Sequence, residues 1–320
     1  KTNSYSADVG GQNHDATGEY SFIGGGYANT ASGSGSSIAG GQTSTASGQF
    51  SHIGGGQSNT ASGQKSFVGG GKSNTATDTT TVVAGGEGND ATSARSTICG
   101  GMNNAASANV ATVVGGMGNT ASGEYAFIGG GESNTASTNY SFVGGGDSNE
   151  AKTNSYATVV GGKSNDATGS YSFVGGGQTN QATGDRSTVG GGINNKATND
   201  MATVGGGNAN DATASESTVA GGSYNDATGT KSFVGGGGGN DATAQFSTVA
   251  GGSNNTASGL YSFAVGDTCT ASAEAAAAIG NNHSATGANS ACLGGYANKA
   301  DARNAICLGG NRGDTRGTIG

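Results

Sequence analysis

The residues with the clearest capacity for chemistry in this sequence are aromatic rings that recur at a fixed spacing. In five places a tyrosine and a phenylalanine flank one small residue, which is serine in four places and Ala126 in the other: Tyr20 with Phe22, Tyr125 with Phe127, Tyr140 with Phe142, Tyr171 with Phe173, and Tyr261 with Phe263. Residues two apart on a strand point to the same side, so each place is predicted to present an aromatic pair. These pairs could form a repeated stacking surface for a sugar or for another fibre, or they could shield the core at a corner of the chain.

A second candidate is the tripeptide Arg312-Gly313-Asp314. Integrin ligands present this tripeptide on an exposed loop, and the position in the sequence is compatible with such a loop. A match of three residues also arises by chance, so the tripeptide stays an alternative contact site.

The remaining polar residues form no pattern typical of an active site. His14, His52 and His283 are far apart and have neither metal-ligand spacing nor a nucleophile partner. Gly-Gly-Lys-Ser at 70–73 and 161–164 lacks the earlier glycine of a phosphate loop. Aspartates recur too irregularly for a calcium-binding roll. We therefore expect a protein that is not an enzyme and that uses no cofactor and no metal.

The elements that position these residues are repeats of about fifteen residues. The phrase SFVGGGQTNQATGD begins at Ser172 and returns as STVGGGINNKATND at Ser187, and twenty-one such turns can be counted. Position 5 of the turn, counted from its opening residue, is Gly in all twenty-one. A fixed short period over a whole chain predicts a solenoid, whereas a disordered linker would not keep register.

Each repeat predicts one coil of a parallel β-roll. Positions 1 to 4 read Ser, Phe or Thr, Val or Ile, and a small residue, which favours a short strand. The Gly pair at positions 5 and 6 predicts a corner, and a second strand follows around Asn-x-Ala-Thr. The predicted fold class is all-β, a parallel β-roll or β-solenoid of about 21 coils with a period of 14–16 residues.

Position 9 is predicted to carry a ladder of side-chain amides. It is Asn in fifteen of the first seventeen turns, and position 11 is Ala in all seventeen. Amides stacked at the spacing of neighbouring strands can hydrogen-bond along the stack. The ladder candidates are Asn29, Asn59, Asn134, Asn180 and Asn240.

Positions 3 and 4 lie on opposite faces of the strand and predict an interface between chains. Most turns carry the aliphatic residue at position 3, but after Ser262 it moves to position 4, as in Ala264 and Val265. The apolar area of one thin coil also falls short of the entropy lost on ordering it, so we expect a homotrimer. Cys292 and Cys307 share position 3 and could form a disulfide or stay as buried thiols.

Charge excludes one class of partner. The chain has 13 Lys and Arg against 21 Asp and Glu, a net charge of -8, and a nucleic-acid partner would require a basic stripe. The sequence contains no run of about 18 apolar residues, so no membrane span is expected in this chain.

Two segments resemble the head repeats of trimeric autotransporter adhesins. SFAVG at 262–266 and AAAIG at 276–280 match the frame S-x-A-[VI]-G of the fourteen-residue head repeat, and Ala285 and Gly287 match its A-x-G. The preceding turns are similar to a GGG-containing variant found in bacterial surface proteins and phage tail fibres. The resemblance implies a left-handed, trimeric β-roll at the tip of a surface fibre that attaches to a host or matrix.

These features together predict an extracellular fibrous adhesin head that binds a host surface, matrix protein or glycan through multivalent contacts. The expected divisions are 1–261 for GGG-type repeats, 262–310 for adhesin-head-like repeats and 311–320 for a tail. The alternative is a structural fibre protein, either a phage or virus tail-fibre shaft or a self-assembling extracellular filament. Ice binding is less favoured, because Thr at position 2 alternates with Phe and breaks a flat threonine array.

Overall fold

The structure of the chain, a computed structural model, describes residues 5–310 and the backbone of Asp314–Thr315. The chain divides into two compact units, Lys1–Lys163 and Ser164–Gly320. The described residues of each unit contain only strands, turns and bends, with no helix. Each unit is a parallel β-solenoid, with about twenty coils in the two units together, so the predicted all-β parallel solenoid is confirmed.

Every described coil contributes a first strand that begins at position 2 and a second strand at positions 10 and 11, or at positions 9 and 10 in the fourteen-residue coils. The first strands of the first unit are Ala7–Asp8, Phe22–Ile23, Ser37–Ile38, His52–Ile53, Phe67–Val68, Val82–Val83, Thr97–Ile98, Thr112–Val113, Phe127–Ile128, Phe142–Val143 and Thr158–Val159. The second strands there are Asp15–Ala16, Thr30–Ala31, Thr45–Ala46, Thr60–Ala61, Thr75–Ala76, Asp90–Ala91, Ala105–Ala106, Thr120–Ala121, Thr135–Ala136 and Glu150–Ala151.

The second unit repeats this arrangement. Its first strands are Phe173–Val174, Thr188–Val189, Thr203–Val204, Thr218–Val219, Phe233–Val234, Thr248–Ser253, Phe263–Asp267, Ala277–Asn281, Ala291–Tyr296 and Ile306–Leu308. Its second strands are Asp166–Ala167, Gln181–Ala182, Lys196–Ala197, Asp211–Ala212, Asp226–Ala227, Asp241–Ala242, Thr256–Ala257, Thr270–Ala271, Ser284–Ala285, Lys299–Ala300 and Asp314–Thr315.

Neighbouring coils pair in register, so that equivalent positions stack directly. Phe127 pairs with Phe142 in one parallel sheet, and Ala121 pairs with Ala136 in the other. Position 7 adds a third β-bridged point in each fifteen-residue coil, as between Met117 and Glu132. The coil therefore has three bridged segments, one more than the two strands that its composition predicts.

The corners depend on glycine at position 6. Gly56 has φ 88°, and a Cβ on it would lie 2.0 Å from the carbonyl oxygen of Gly71 in the next coil. Only glycine permits that approach. Two other corner positions, 8 and 15, also adopt the left-handed region but carry side chains, for example Ser133 at φ 55° and Tyr140 at φ 59°. Their amides donate to carbonyls of the preceding coil, which holds this conformation.

Four columns of inward side chains form the core. In the coil that begins at Ala126, these are Ala126, Ile128, Asn134 and Ala136, and all four are buried. Position 2 faces outward instead, since Phe142 in the next coil keeps 38% of its surface exposed. A phenylalanine at position 2 therefore adds little apolar burial to its coil, because the strand alternation turns position 2 away from the interior.

The last coils of the second unit differ in strand length and in their outer face. The fourteen-residue coils carry one Gly, instead of a pair, at the corner after the first strand, and their first strands extend to five residues, as in Phe263–Asp267. Ala264 at position 3 is fully buried, whereas Ile279 and Leu308 at position 4 are 36% and 74% exposed. The outward column at position 4 therefore becomes aliphatic, as predicted from the move of the aliphatic residue from position 3 to position 4 after Ser262.

Candidate functional site

The ten aromatic candidates lie on the outer surface of their coils. The tyrosines at position 15 are exposed: Tyr20, Tyr125, Tyr140, Tyr171 and Tyr261. The phenylalanines at position 2 are exposed or half-buried: Phe22, Phe127, Phe142, Phe173 and Phe263. The serine or alanine between them points into the core, so each pair flanks a buried residue and faces outward. These rings do not shield the core.

The left-handed backbone at position 15 sets the direction of the tyrosine column. Tyr125 and Tyr140 have φ 57° and 59°. Their amides donate to the carbonyls of Asn109 and Glu124 in the preceding coil, at 3.0 and 2.8 Å. A left-handed residue other than glycine is energetically costly, and these inter-coil bonds stabilise it. The rings therefore project from a fixed backbone.

The rings stack between coils. Tyr125 and Tyr140 have centroids 5.0 Å apart with planes at 4°, and Tyr140 and Tyr156 are 4.9 Å apart with planes at 2°. Phe127 and Phe142 stack at 5.4 Å in the neighbouring column. The spacing follows from the strand separation of about 4.8 Å in a parallel sheet. The sequence predicted aromatic pairs within a coil, but the stacks that the structure describes join equivalent positions of successive coils.

Tyr156 extends this stack and was missed at the level of sequence. It lies next to one extra residue that interrupts the fifteen-residue frame, so its relation to the tyrosine column is not apparent from spacing alone. Three tyrosines from successive coils, Tyr125, Tyr140 and Tyr156, thus form one column. Partial desolvation raises the pKa of the Tyr140 hydroxyl, and Tyr156, Tyr125 and Glu124 raise it further.

The predicted asparagines lie inside the coils as a ladder that is bonded mainly to backbone. Asn134 Nδ2 donates to the carbonyl oxygens of Gly130 and Gly146, both at 2.9 Å, and Asn134 Oδ1 accepts the amide of Asn149 at 3.0 Å. The same three bonds are made by Asn29, Asn59, Asn180 and Asn240. Some asparagines also make the predicted direct bond between side-chain amides, as Asn134 Nδ2 does when it donates to Asn119 Oδ1 at 3.1 Å.

Two histidines take the place of asparagine in this ladder. Nδ1 of His14 accepts the amide of Asn29, and Nδ1 of His283 accepts the amide of Asn298, both at 3.2 Å. Burial lowers the pKa of His283, so its neutral form is favoured in the fold. His14 stands at position 9 of its repeat, which is the signal that could have assigned it this role from sequence.

Within the described residues the four cysteines form no disulfide, and no metal centre is present. Cys292 and Cys307 pair in register within the core, and burial together with Cys307 raises the pKa of Cys292 to about 11. In the described part of the chain, no group of three or more His, Cys, Asp or Glu side chains could hold a metal ion. The same residues include no helix with the length and hydropathy needed to cross a membrane.

The tripeptide candidate falls at the edge of the described structure. Arg312 and Gly313 lie outside the described residues, and of Asp314 only the backbone is described.

Comparisons with known proteins do not assign this chain to a family. No protein-family model matches the sequence, and no curated protein matches it.

Proposed function

We propose that this chain is the head of an extracellular, homotrimeric fibre that adheres to a host surface, matrix protein or glycan through many weak contacts, without enzymatic activity. The observation that carries this proposal is the column of exposed, coil-to-coil stacked rings at Tyr125, Tyr140 and Tyr156. Exposed aromatic rings on a fixed backbone bind at low entropic cost.

The repeat makes weak contacts additive. Aromatic pairs recur on several coils of each unit, including those at Tyr20 and Tyr261. When several equivalent sites on one unit engage one surface, the second contact and each later one are intramolecular. Three copies of the chain would multiply the number of contacts again, which suits attachment better than selective uptake of one small molecule.

The outer aliphatic column of the second unit supports a homotrimer. Val265 pairs with Ile279, Ile279 with Leu293, and Leu293 with Leu308 along one sheet. The last three of these side chains are 36%, 36% and 74% exposed in the single chain. A continuous aliphatic row on the surface indicates an interface, and the equivalent rows of other copies are the complementary occupants.

Position 5 gives independent support. Gly115 does not adopt a positive φ, and a Cβ built on it meets no atom within 4 Å. Gly85 also lacks a positive φ, and its nearest neighbour would be the Gly70 oxygen at 4.0 Å. Most position-5 glycines have a positive φ, as Gly266 does at 125°, but at Gly85 and Gly115 the single chain gives no steric reason for glycine. Close approach of another copy's backbone would supply that reason.

Adhesion of protein-coated beads to cells and to immobilised matrix tests this function. We expect the double variant Tyr125→Ser/Tyr140→Ser to reduce bead retention by about tenfold or more, since avidity amplifies the loss of each contact. The matched control is Met102→Ser/Met117→Ser, because these two side chains are also exposed and belong to successive coils of the same unit. Equal retention of both double variants would contradict an adhesive role for the rings.

The structural-fibre alternative is favoured by the same aliphatic row. Val265, Ile279, Leu293 and Leu308 could pack separate solenoids side by side as readily as they could pack three chains together. Electron microscopy at increasing protein concentration separates the two functions. Rods of constant width and length support the adhesin head, whereas filaments that thicken or lengthen without limit support a structural fibre.

A further inference from the structure

A groove on the second unit has the composition of a ligand site and was not part of any sequence prediction. It encloses about 450 Å³ between the columns of positions 8 and 10. The eight lining residues come from four successive coils: Thr179, Gln181, Asn194, Lys196, Ala209, Asp211, Tyr224 and Asp226. The asparagine at position 9 between the two columns is buried, so both columns face outward. The groove therefore combines an aromatic ring with amide, hydroxyl, carboxylate and ammonium groups.

Tyr224 differs from every other tyrosine described above. It is the only aromatic residue at position 8 in the described coils, and its neighbours in that column are Ala209 and Gly239. With no side chain larger than a methyl group before or after it, the ring has room on both faces and is 65% exposed. Its backbone is fixed at φ 56° by a bond from its amide to the Asn208 carbonyl at 3.0 Å. The ring is thus a rigid stacking platform with both faces exposed.

The floor beside this ring carries a row of carboxylates with one cation at its end. Lys196, Asp211, Asp226 and Asp241 occupy position 10 of successive coils and pair in register. Lys196 Nζ lies 3.8 Å from Asp211 Oδ2. Burial raises the pKa of Asp226, and Asp211 and Asp241 raise it further. Within the described residues the Asp226 carboxylate has no hydrogen bond or ion pair, so its oxygens can accept bonds from a ligand.

We propose that this groove binds a neutral pyranose unit of a glycan, which packs its apolar face on Tyr224 and donates hydroxyl hydrogen bonds to Asp226 and Asp211. A pyranose has the two properties that the groove requires, a flat apolar face and several adjacent donors. The inference deepens the proposed adhesive function, on which it rests, by naming the ligand class and the coils that bind it.

The charges of the groove select against acidic sugars. Three carboxylates in a row repel sialic acids, uronic acids and sulfated sugars. Neutral hexoses and N-acetylhexosamines do not meet this repulsion, and Gln181 and Asn194 offer amides that can both donate to and accept from their hydroxyl and acetamido groups.

Binding to a printed array of neutral oligosaccharides, with sialylated and sulfated versions of the same glycans beside them, tests the proposal. We expect neutral glycans ending in glucose, galactose or N-acetylglucosamine to bind at least about tenfold more tightly than their acidic versions. Tyr224→Ala should weaken that binding by about tenfold or more. This change preserves the backbone, because Ala28 and Ala209 occupy position 8 with φ 52° and 53°. Tyr27→Ala, at another exposed tyrosine, is the matched control and should leave binding unchanged.

Asp226→Asn gives a second readout that loss of fold cannot imitate. Removing one carboxylate should raise the affinity for sialylated glycans relative to neutral ones, since an amide retains the hydrogen-bonding shape without the charge. The proposal is overturned if no neutral glycan binds, if acidic glycans bind best to the unmodified chain, or if Tyr224→Ala and Tyr27→Ala bind alike. In each of these cases bead adhesion that depends on Tyr125 and Tyr140 would remain intact, so the adhesive function is tested separately.

Discussion

Replacing one asparagine of the ladder tests what stabilises the stack of coils. In Asn134→Ala the amide of Asn149 loses its acceptor at 3.0 Å, and the carbonyls of Gly130 and Gly146 each lose a donor at 2.9 Å. Asn149 is fully buried, so leaving its N–H unpaired costs about 1–3 kcal/mol. The two glycine carbonyls lie in less buried backbone and add about 1 kcal/mol together. We expect a total loss of about 2–4 kcal/mol.

Hydrogen exchange of the Asn149 amide is the most direct assay, because a repeat protein opens locally before it unfolds globally. We expect exchange to accelerate by more than about tenfold in Asn134→Ala, with a lower urea midpoint. Asn134→Ser should lose less, since Ser44 occupies the same position and its Oγ accepts the amide of Asn59 at 3.2 Å. The exposed Asn139→Ala is the control. The reasoning is refuted if Asn134→Ala and Asn139→Ala have the same exchange rate and the same midpoint.

Three further predictions concern single positions. Burial lowers the pKa of His283 below its usual 6.5, so as the pH falls the unfolded chain binds a proton at this residue before the folded chain does. Thermal stability should therefore be full above about pH 6.5 and decrease below it. His283→Asn should remove this pH dependence of the melting temperature. Gly56→Ala should unfold its coil, because the added carbon lies 2.0 Å from a carbonyl oxygen, whereas Gly115→Ala should leave the melting of the isolated chain unchanged and weaken its association. Cys99 is exposed and should react with a thiol reagent at neutral pH, while buried Cys292, with a pKa of about 11, should stay unmodified until the chain unfolds.

The coil itself could be predicted from the sequence, because its requirements repeat. A glycine at position 6 of each fifteen-residue turn and an alanine at position 11 leave little room for any chain path except a tight, in-register stack. Gly56 lies against the backbone of the next coil, and Ala136 is fully buried in the core. The partners of the asparagines could not be predicted in the same way, because backbone carbonyls are present at every position and leave no signature in the sequence.

The functional surface was predicted only in part. The outward rings at Tyr125 and Tyr140 follow from strand alternation, but their stacking between coils depends on register. The Tyr224 ring has exposed faces because Ala209 and Gly239, fifteen residues before and after it, occupy the same position in the neighbouring coils and have small side chains or none. Comparing residues by their position in the repeat, rather than along the chain, would have identified this tyrosine as an isolated ring.

The molar mass of the purified chain under native conditions, measured by light scattering, tests the proposed assembly most directly. One chain has a mass of 30.3 kDa. We predict a single species of three times that mass, which dissociates when Ile279 and Leu293 are both replaced by serine. A stable monomer would contradict the homotrimer and leave the outer aliphatic column without an occupant.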